Sequence, residues 1–157
     1  MATQPRWLTE DEQHLWRLIL AASKKVNNAI DERLQETAAM SAPEFSILVV
    51  LSEAPERTMR LRELCAELQW DRSRASHQVT RMEKRGLVSK KVCPGDARGV
   101  LVTITDEGFT RLESAVPDHV ETVRRLIFDQ LTDEQRHVLQ TWLNDVIAAD
   151  PRTPDGS

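Results

Sequence analysis

Apolar residues recur in steps of three and four along most of this chain, the spacing that places side chains on one face of an α-helix. The first stripe is Leu15, Ile19, Ala22, Val26, Ile30 and Leu34, preceded by Thr9-Glu10-Asp11-Glu12. That tetrad is a capping box: the hydroxyl accepts the backbone N–H three residues on, and the glutamate accepts the hydroxyl residue's own N–H. Ser41-Ala42-Pro43-Glu44 opens a second, shorter apolar helix over 45–51, ended near Pro55. Thr132-Asp133-Glu134-Gln135 opens a final one carrying Val138, Leu139, Trp142, Leu143, Val146 and Ile147. Residues 61–68 predict a short helix, and Asp71 is a good N-cap for the next, which stops at Gly86. Residues 87–93 and 100–105 read as two strands joined by a turn over 94–99. Asp106 and Glu107 begin another long helix, with Leu112, Val116, Val120, Val123 and Ile127 on its apolar side.

This order, four helices, a hairpin and two helices, predicts a mainly α protein with a small β-hairpin wing. Residues 41–105 form a winged helix-turn-helix lobe. Residues 1–40 and 106–148 supply N- and C-terminal helices, and 149–157 a polar tail that frays. The terminal helices are too long to bury their stripes on so small a lobe. They are expected to meet those of a second copy in a homodimer; packing into a monomeric bundle is the alternative.

The helix after Asp71 carries the most chemistry. At about 100° per residue, Ala75, Val79 and Met82 share one side, which docks on the core. Ser73, His77, Thr80 and Lys84 lie opposite, flanked by Arg74 and Arg81 on one side and Ser76 on the other. Early residues of a recognition helix approach base edges and later ones the DNA backbone. Ser73, Arg74, Ser76 and His77 are therefore the base-reading candidates, with Arg74 able to fork onto a guanine. Arg72, Thr80, Arg81, Lys84, Lys90 and Lys91 are the phosphate candidates. At the hairpin tip, Arg98 is placed to enter a narrow, electronegative minor groove. Asp96, two residues earlier, either holds that guanidinium in place or shapes an ordinary Asx-type turn.

Charge sharpens this picture. The chain as a whole is −4, yet residues 71–98 carry eight cations and three acids, so a +5 island sits on a −9 remainder. That is the footprint of a phosphate-binding face on an acidic body. With 40% hydrophobic residues in 157, the chain suits one compact domain with helical extensions. No run approaches the ~18 consecutive apolar residues of a membrane span, and the first ten residues lack a signal-peptide pattern, so a cytoplasmic protein is expected. No glycine-rich phosphate loop, H-E-x-x-H or G-x-S-x-G occurs, which argues against an enzyme, and no cofactor is implied. Cys65, among Leu61, Leu64 and Leu68, reads as a buried small hydrophobe; Cys93, beside Pro94, has no cationic neighbour to activate it for redox sensing. His14, His77, His119 and His137 are scattered, with no metal-site spacing. A winged-helix module that binds protein rather than DNA is the alternative reading.

Trp70-Asp71-Arg72-Ser73-Arg74, Arg81-Met82-Glu83-Lys84-Arg85-Gly86-Leu87-Val88, Asp96-Ala97-Arg98-Gly99 and Thr105-Asp106-Glu107-Gly108 together resemble the MarR family of bacterial transcription regulators. The resemblance spans residues 10–148. It implies a triangular homodimer that binds a palindromic operator in double-stranded DNA, acts as a repressor, and is released by a small anionic or phenolic ligand. It also implies an effector pocket between the dimer helices and the DNA lobe, for which His14, Trp16, Arg17 and His119 are the candidates. Peroxide-sensing members carry a reactive cysteine near the first helix, and residues 9–36 contain none.

Overall fold

The structure is a computed structural model describing residues 5–151. Helix α1 (Glu10–Ala38) is followed by α2 (Ala42–Glu53), strand β1 (Thr58–Arg60), α3 (Leu61–Leu68), α4 (Arg72–Lys84), β2 (Val88–Cys93), β3 (Asp96–Ile104), α5 (Asp106–Leu126) and α6 (Asp133–Ala148). The predicted capping boxes at Thr9, Ser41 and Thr132 all form, with hydroxyl and carboxyl or amide both engaged. No described helix is long and apolar enough to cross a membrane.

The chain divides into two compact units at Thr122/Val123. The first holds one core, to which α2 gives Ile47, Leu48 and Leu51, α3 Leu64, α4 Ala75, Val79 and Met82, and the sheet Val102 and Ile104. Along α1 the apolar stripe changes character. Leu34 is 1% exposed and Ile30 is half-buried, whereas Leu15 is 57% exposed. The C-terminal end of α1 is thus part of the lobe's core, and its N-terminal end is not. The second unit contains the end of α5, a 3-10 turn at Phe128–Gln130, and α6, whose residues are all exposed.

Two strand expectations need correction. The hairpin is joined to a third strand, β1, in the antiparallel order β1-β3-β2. Three residues are too few to show an alternating pattern, so β1 leaves no trace in the sequence. It is held by pairing Thr58 with Thr103, whose hydroxyls lie 2.8 Å apart. The turn is also shorter than 94–99: Pro94-Gly95 alone reverses the chain, and β3 starts at Asp96. Cys65 is half-buried rather than fully buried, and Cys93 is 3% exposed.

Two contacts join the start of α5 to the rest of the lobe. A Cβ at Gly108 would fall 2.1 Å from the Leu87 carbonyl oxygen, so only glycine permits this approach. The Thr105 hydroxyl donates to the Gly86 carbonyl (2.6 Å) and accepts from the Gly108 N–H (3.0 Å), so it caps α5 and ties it to the end of α4.

Candidate nucleic-acid interface

Helix α4 is docked by Ala75, Val79 and Met82, all fully buried, with Gln78 beside them at 6% exposure. Its N-cap is Asp71, which accepts the Arg74 N–H at 2.8 Å. The opposite edge remains open: Ser73, Arg74 and His77 are exposed and Ser76 is half-buried. The Arg74 guanidinium rests over the Trp70 ring, 4.1 Å from its centroid. A cation stacked on an indole keeps its N–H groups free at the guanidinium edge while losing rotamer freedom before any ligand arrives. Trp70 was not among the sequence candidates; its position one residue before the N-cap was the available signal.

The phosphate candidates divide. Arg72, Lys84 and Lys91 are exposed. Arg81 is exposed too but donates to the Gln78 side-chain oxygen, which fixes it against the helix. Lys90 is tied down: its ammonium donates to Thr80 Oγ1 at 3.1 Å and pairs with Glu83 at 3.6 Å, and its backbone N–H donates to Glu83 Oε2. Thr80 and Lys90 thus satisfy each other within the protein. Arg85, counted in the basic island, is engaged within the protein. It pairs with Glu44, which is 5% exposed, and donates to the Ala39 carbonyl at 2.7 Å. Glu44 is shared, because its other oxygen accepts the Ser41 N–H in the α2 capping box. Two of the eight cations of the island are therefore neutralised by carboxylates.

Arg98 lies on a bulge and not at the hairpin tip. Val92 pairs with Val100 and Cys93 with Asp96, so Ala97, Arg98 and Gly99 have no partners on β2. Such an insertion re-aims a side chain, and Arg98 is exposed on it. Asp96 shapes the bulge through the main chain, with Oδ1 accepting the Arg98 N–H at 3.1 Å. This is the Asx-type arrangement, not a clasp on the guanidinium. The other carboxylate oxygen instead lies 4.0 Å from Arg60 Nη1. A Cβ at Gly99 would come within 2.7 Å of Asp96 Oδ2 and 2.8 Å of Cys93 Sγ, so glycine closes the base of the bulge.

The four effector candidates are not brought together. His119 lines a cavity of about 370 Å3 with Asn27 and Ile30 of α1, Phe45, Ser46 and Val49 of α2, and Leu68 of α3. His14, Trp16 and Arg17 are exposed on the N-terminal part of α1. At about 1.5 Å rise per residue they sit roughly 15–20 Å along the helix from Asn27. The His119 ring stacks on Phe45 with centroids 4.5 Å apart, and its Nδ1 is buried without a hydrogen-bond partner. Burial lowers its pKa from the ordinary histidine value, which favours the neutral ring. Among the described residues, no group of His, Cys, Asp and Glu is arranged to hold a metal ion.

A three-helix lobe with a second helix offering a polar edge, beside a hairpin that projects one arginine, defines a winged helix-turn-helix protein. Residues 40–99 match the family model described as MarR family. The chain is 38% identical to Sco3205, a MarR family transcriptional regulator from Streptomyces coelicolor whose crystal structure is in complex with DNA; the alignment covers 98% of this chain and 97% of that one, with a TM-score of 0.89. It is 34% identical to AbsC, another MarR family regulator from Streptomyces coelicolor, over 91% of this chain and 96% of that one, with a TM-score of 0.86. The transcriptional regulator PecS of Dickeya dadantii is 28% identical over 77% of this chain and 75% of its own length. The chain belongs to the MarR family of transcriptional regulators. Its relatives are regulators rather than enzymes.

Proposed function

We propose that the protein is a homodimeric, sequence-specific DNA-binding repressor that acts in the cytoplasm, reads a palindromic operator and is released by a small phenolic ligand. The observation that carries the DNA reading is the division of α4: Ala75, Gln78, Val79 and Met82 are buried, Ser73, Arg74 and His77 on the same helix are exposed, and Arg72 at its start donates to the Arg98 carbonyl on the bulge. The DNA complex of Sco3205 supports it. Ser73, Arg74, Ser76 and His77 read base edges in the major groove, with Arg72, Arg81, Lys84 and Lys91 on phosphates. Arg98 enters the minor groove, where its charge meets a strong negative potential. Two copies present two such helices to half-sites about one helical turn apart, ~34–36 Å.

The ligand reading rests on the His119 cavity, whose volume lies in the range of small-molecule sites, roughly 300–1,000 Å3. Its lining contains no Lys or Arg, and burial favours the neutral form of His119. A phenolic hydroxyl facing the unpartnered Nδ1 suits this wall better than a carboxylate, which would be buried without a counter-charge. Phe45 and Ser46 of the lining flank the same turn of α2 that carries Glu44, the partner of Arg85 at the end of α4. A ligand that fits one arrangement of this corner better than another shifts the population of DNA-competent lobes by that difference in affinity.

The test is a mobility-shift titration with the intergenic DNA beside the protein's own gene, comparing wild type with Arg98→Ala. Loss of most of the affinity at an unchanged melting temperature is expected. Equal affinity in the two proteins removes the wing assignment, and weak, salt-insensitive binding by the wild type removes the DNA reading itself.

A further inference from the structure

The base of the wing carries an arginine-lined cavity that joins Arg72 and Arg98 to two arginines, Arg60 and Arg62, to which the DNA reading above gives no role. Arg60 ends β1, Arg62 lies in the first turn of α3, Arg72 opens α4 and Arg98 sits on the β3 bulge. The four line one cavity of about 150 Å3 together with Asp96 and Gly99. Asp96 is the only carboxylate in that lining, so the site holds four positive charges against one negative. Asp96 offsets one of them at most, through a long ion pair with Arg60, so a net positive charge remains. One of its oxygens accepts the Arg98 backbone N–H, and the other forms a 4.0 Å ion pair with Arg60 that is too long for a hydrogen bond. The Arg72 guanidinium donates to the Arg98 carbonyl at 3.4 Å, which turns it toward the bulge. Arg62 is exposed and forms no ion pair among the described residues.

Four guanidinium groups held around one small space repel each other, and that arrangement is relieved by a multivalent oxyanion. Guanidinium forks match the oxygen spacing of a phosphate. We propose that this cavity captures one phosphate of the DNA backbone, with Arg60 and Arg62 as positioning residues that fix the lobe's register on the duplex. The proposal rests on the DNA-binding reading above. It takes the phosphate from DNA because the cavity is bounded by the start of α4 and by the bulge of Arg98, the two elements that flank bound DNA in that reading. A backbone phosphate held between them sets how far α4 enters its groove when Arg98 enters the neighbouring one. The contact carries no sequence information.

The experiment uses the full-length protein and a fluorescent random-sequence duplex of about three helical turns, titrated at several salt concentrations. Each phosphate neutralised contributes about 0.9 to the slope of log affinity against log salt. The Arg60→Ala/Arg62→Ala double variant is expected to flatten the wild-type slope by about that amount. Arg62→Ala alone should flatten it in part, and Lys24→Ala, an equal charge change on exposed α1, not at all. Melting temperatures establish that each variant is folded; Arg62→Ala, having no internal partner to lose, keeps the question answerable if the Arg60 change unfolds the wing. An unchanged slope in Arg62→Ala, or equal flattening by Lys24→Ala, overturns the proposal. Calorimetric titration with inorganic phosphate separates the sources. Saturable binding lost in Arg62→Ala, with an unchanged DNA slope, makes this a free-anion site and overturns the backbone assignment. If the wild type itself fails to bind the duplex, the DNA reading falls and this proposal falls with it. A failure seen only between variants overturns the cavity alone.

Discussion

Glu44 and Arg85 connect parts of the chain that sequence distance keeps far apart. The Glu44 carboxylate caps α2 at Ser41 and pairs with Arg85, which also binds the Ala39 carbonyl at the end of α1. Replacing a buried ion-pair partner costs more than the pair contributes, because the remaining charge is stranded. Here Arg85 is 39% exposed, so water recovers part of its solvation, and Glu44→Ala is expected to cost about 1–3 kcal/mol. Urea denaturation measures it; an unchanged midpoint and slope would show that the pair is dispensable. His119 gives a pH signature. Its folded pKa lies below the ordinary 6.5, so the unfolded chain binds the extra proton more readily. The neutral ring's contribution is complete above about pH 6.5 and is lost as pH falls through the lower folded value. Wild type should therefore lose more stability than His119→Leu between pH 7.5 and pH 5.5, and parallel pH profiles would remove the burial argument. The sequence displayed Arg85 and Lys90 only as cations in a basic run. Their partners Glu44 and Glu83 are 41 and seven residues away, and no periodicity encodes such pairings.

At the level of elements, what was legible had a period or a cap. Asp71, the docking stripe of Ala75, Val79 and Met82, and three capping boxes follow from spacing and hydrogen-bond chemistry alone, and the structure places each as expected. What was not legible had neither. β1 is three residues long, and the wing bulge depends on a register, Val92 with Val100 and Cys93 with Asp96, that only the folded sheet defines. The exposed edge of α4 could be phased, but the stacking of Arg74 on Trp70 and the inward tether of Lys90 required coordinates. The junction of α5 offers the sharpest test at this scale. Gly108→Ala forces a Cβ against the Leu87 carbonyl, which is main chain and has no rotamer to escape into. Leu87 lies between α4 and β2, so relief must move the corner that joins recognition helix to wing. Overpacking of this kind costs about 1–3 kcal/mol. Thermal melting should show that loss, together with weaker DNA binding even where the variant is fully folded. A variant that melts and binds like wild type would mean that the corner yields freely.

Most of the exposed large apolar residues among those described lie on two helices, α1 and α6. On α1, Leu15, Trp16, Leu18 and Leu20 are each about half exposed, while Leu34 at the other end of the same helix is buried. On α6, Val138, Trp142, Leu143, Val146 and Ile147 are exposed, Ile147 to 76%. Scattered exposed leucines need no explanation, but a run of large side chains at helical spacing marks a surface awaiting a partner. A second copy of the same chain suits it if the operator is a palindrome as proposed above, because closed two-fold symmetry is the commonest way to present two lobes to two half-sites. Light scattering should find the wild type dimeric at the concentrations used for DNA binding. Leu15→Glu combined with Ile147→Glu places charges in both stripes and should shift the mass to that of a monomer. Circular dichroism should keep the helical signal, because neither residue belongs to the lobe's core. The consequence for DNA separates this from a general loss of folding. One lobe alone contacts about half of the phosphates, so the salt slope on the intergenic duplex should fall to roughly half that of wild type. A double variant that remains dimeric would show that the stripes are covered within the chain. A monomeric variant that retains the wild-type slope would show that the second copy is not what brings the second set of phosphates into contact.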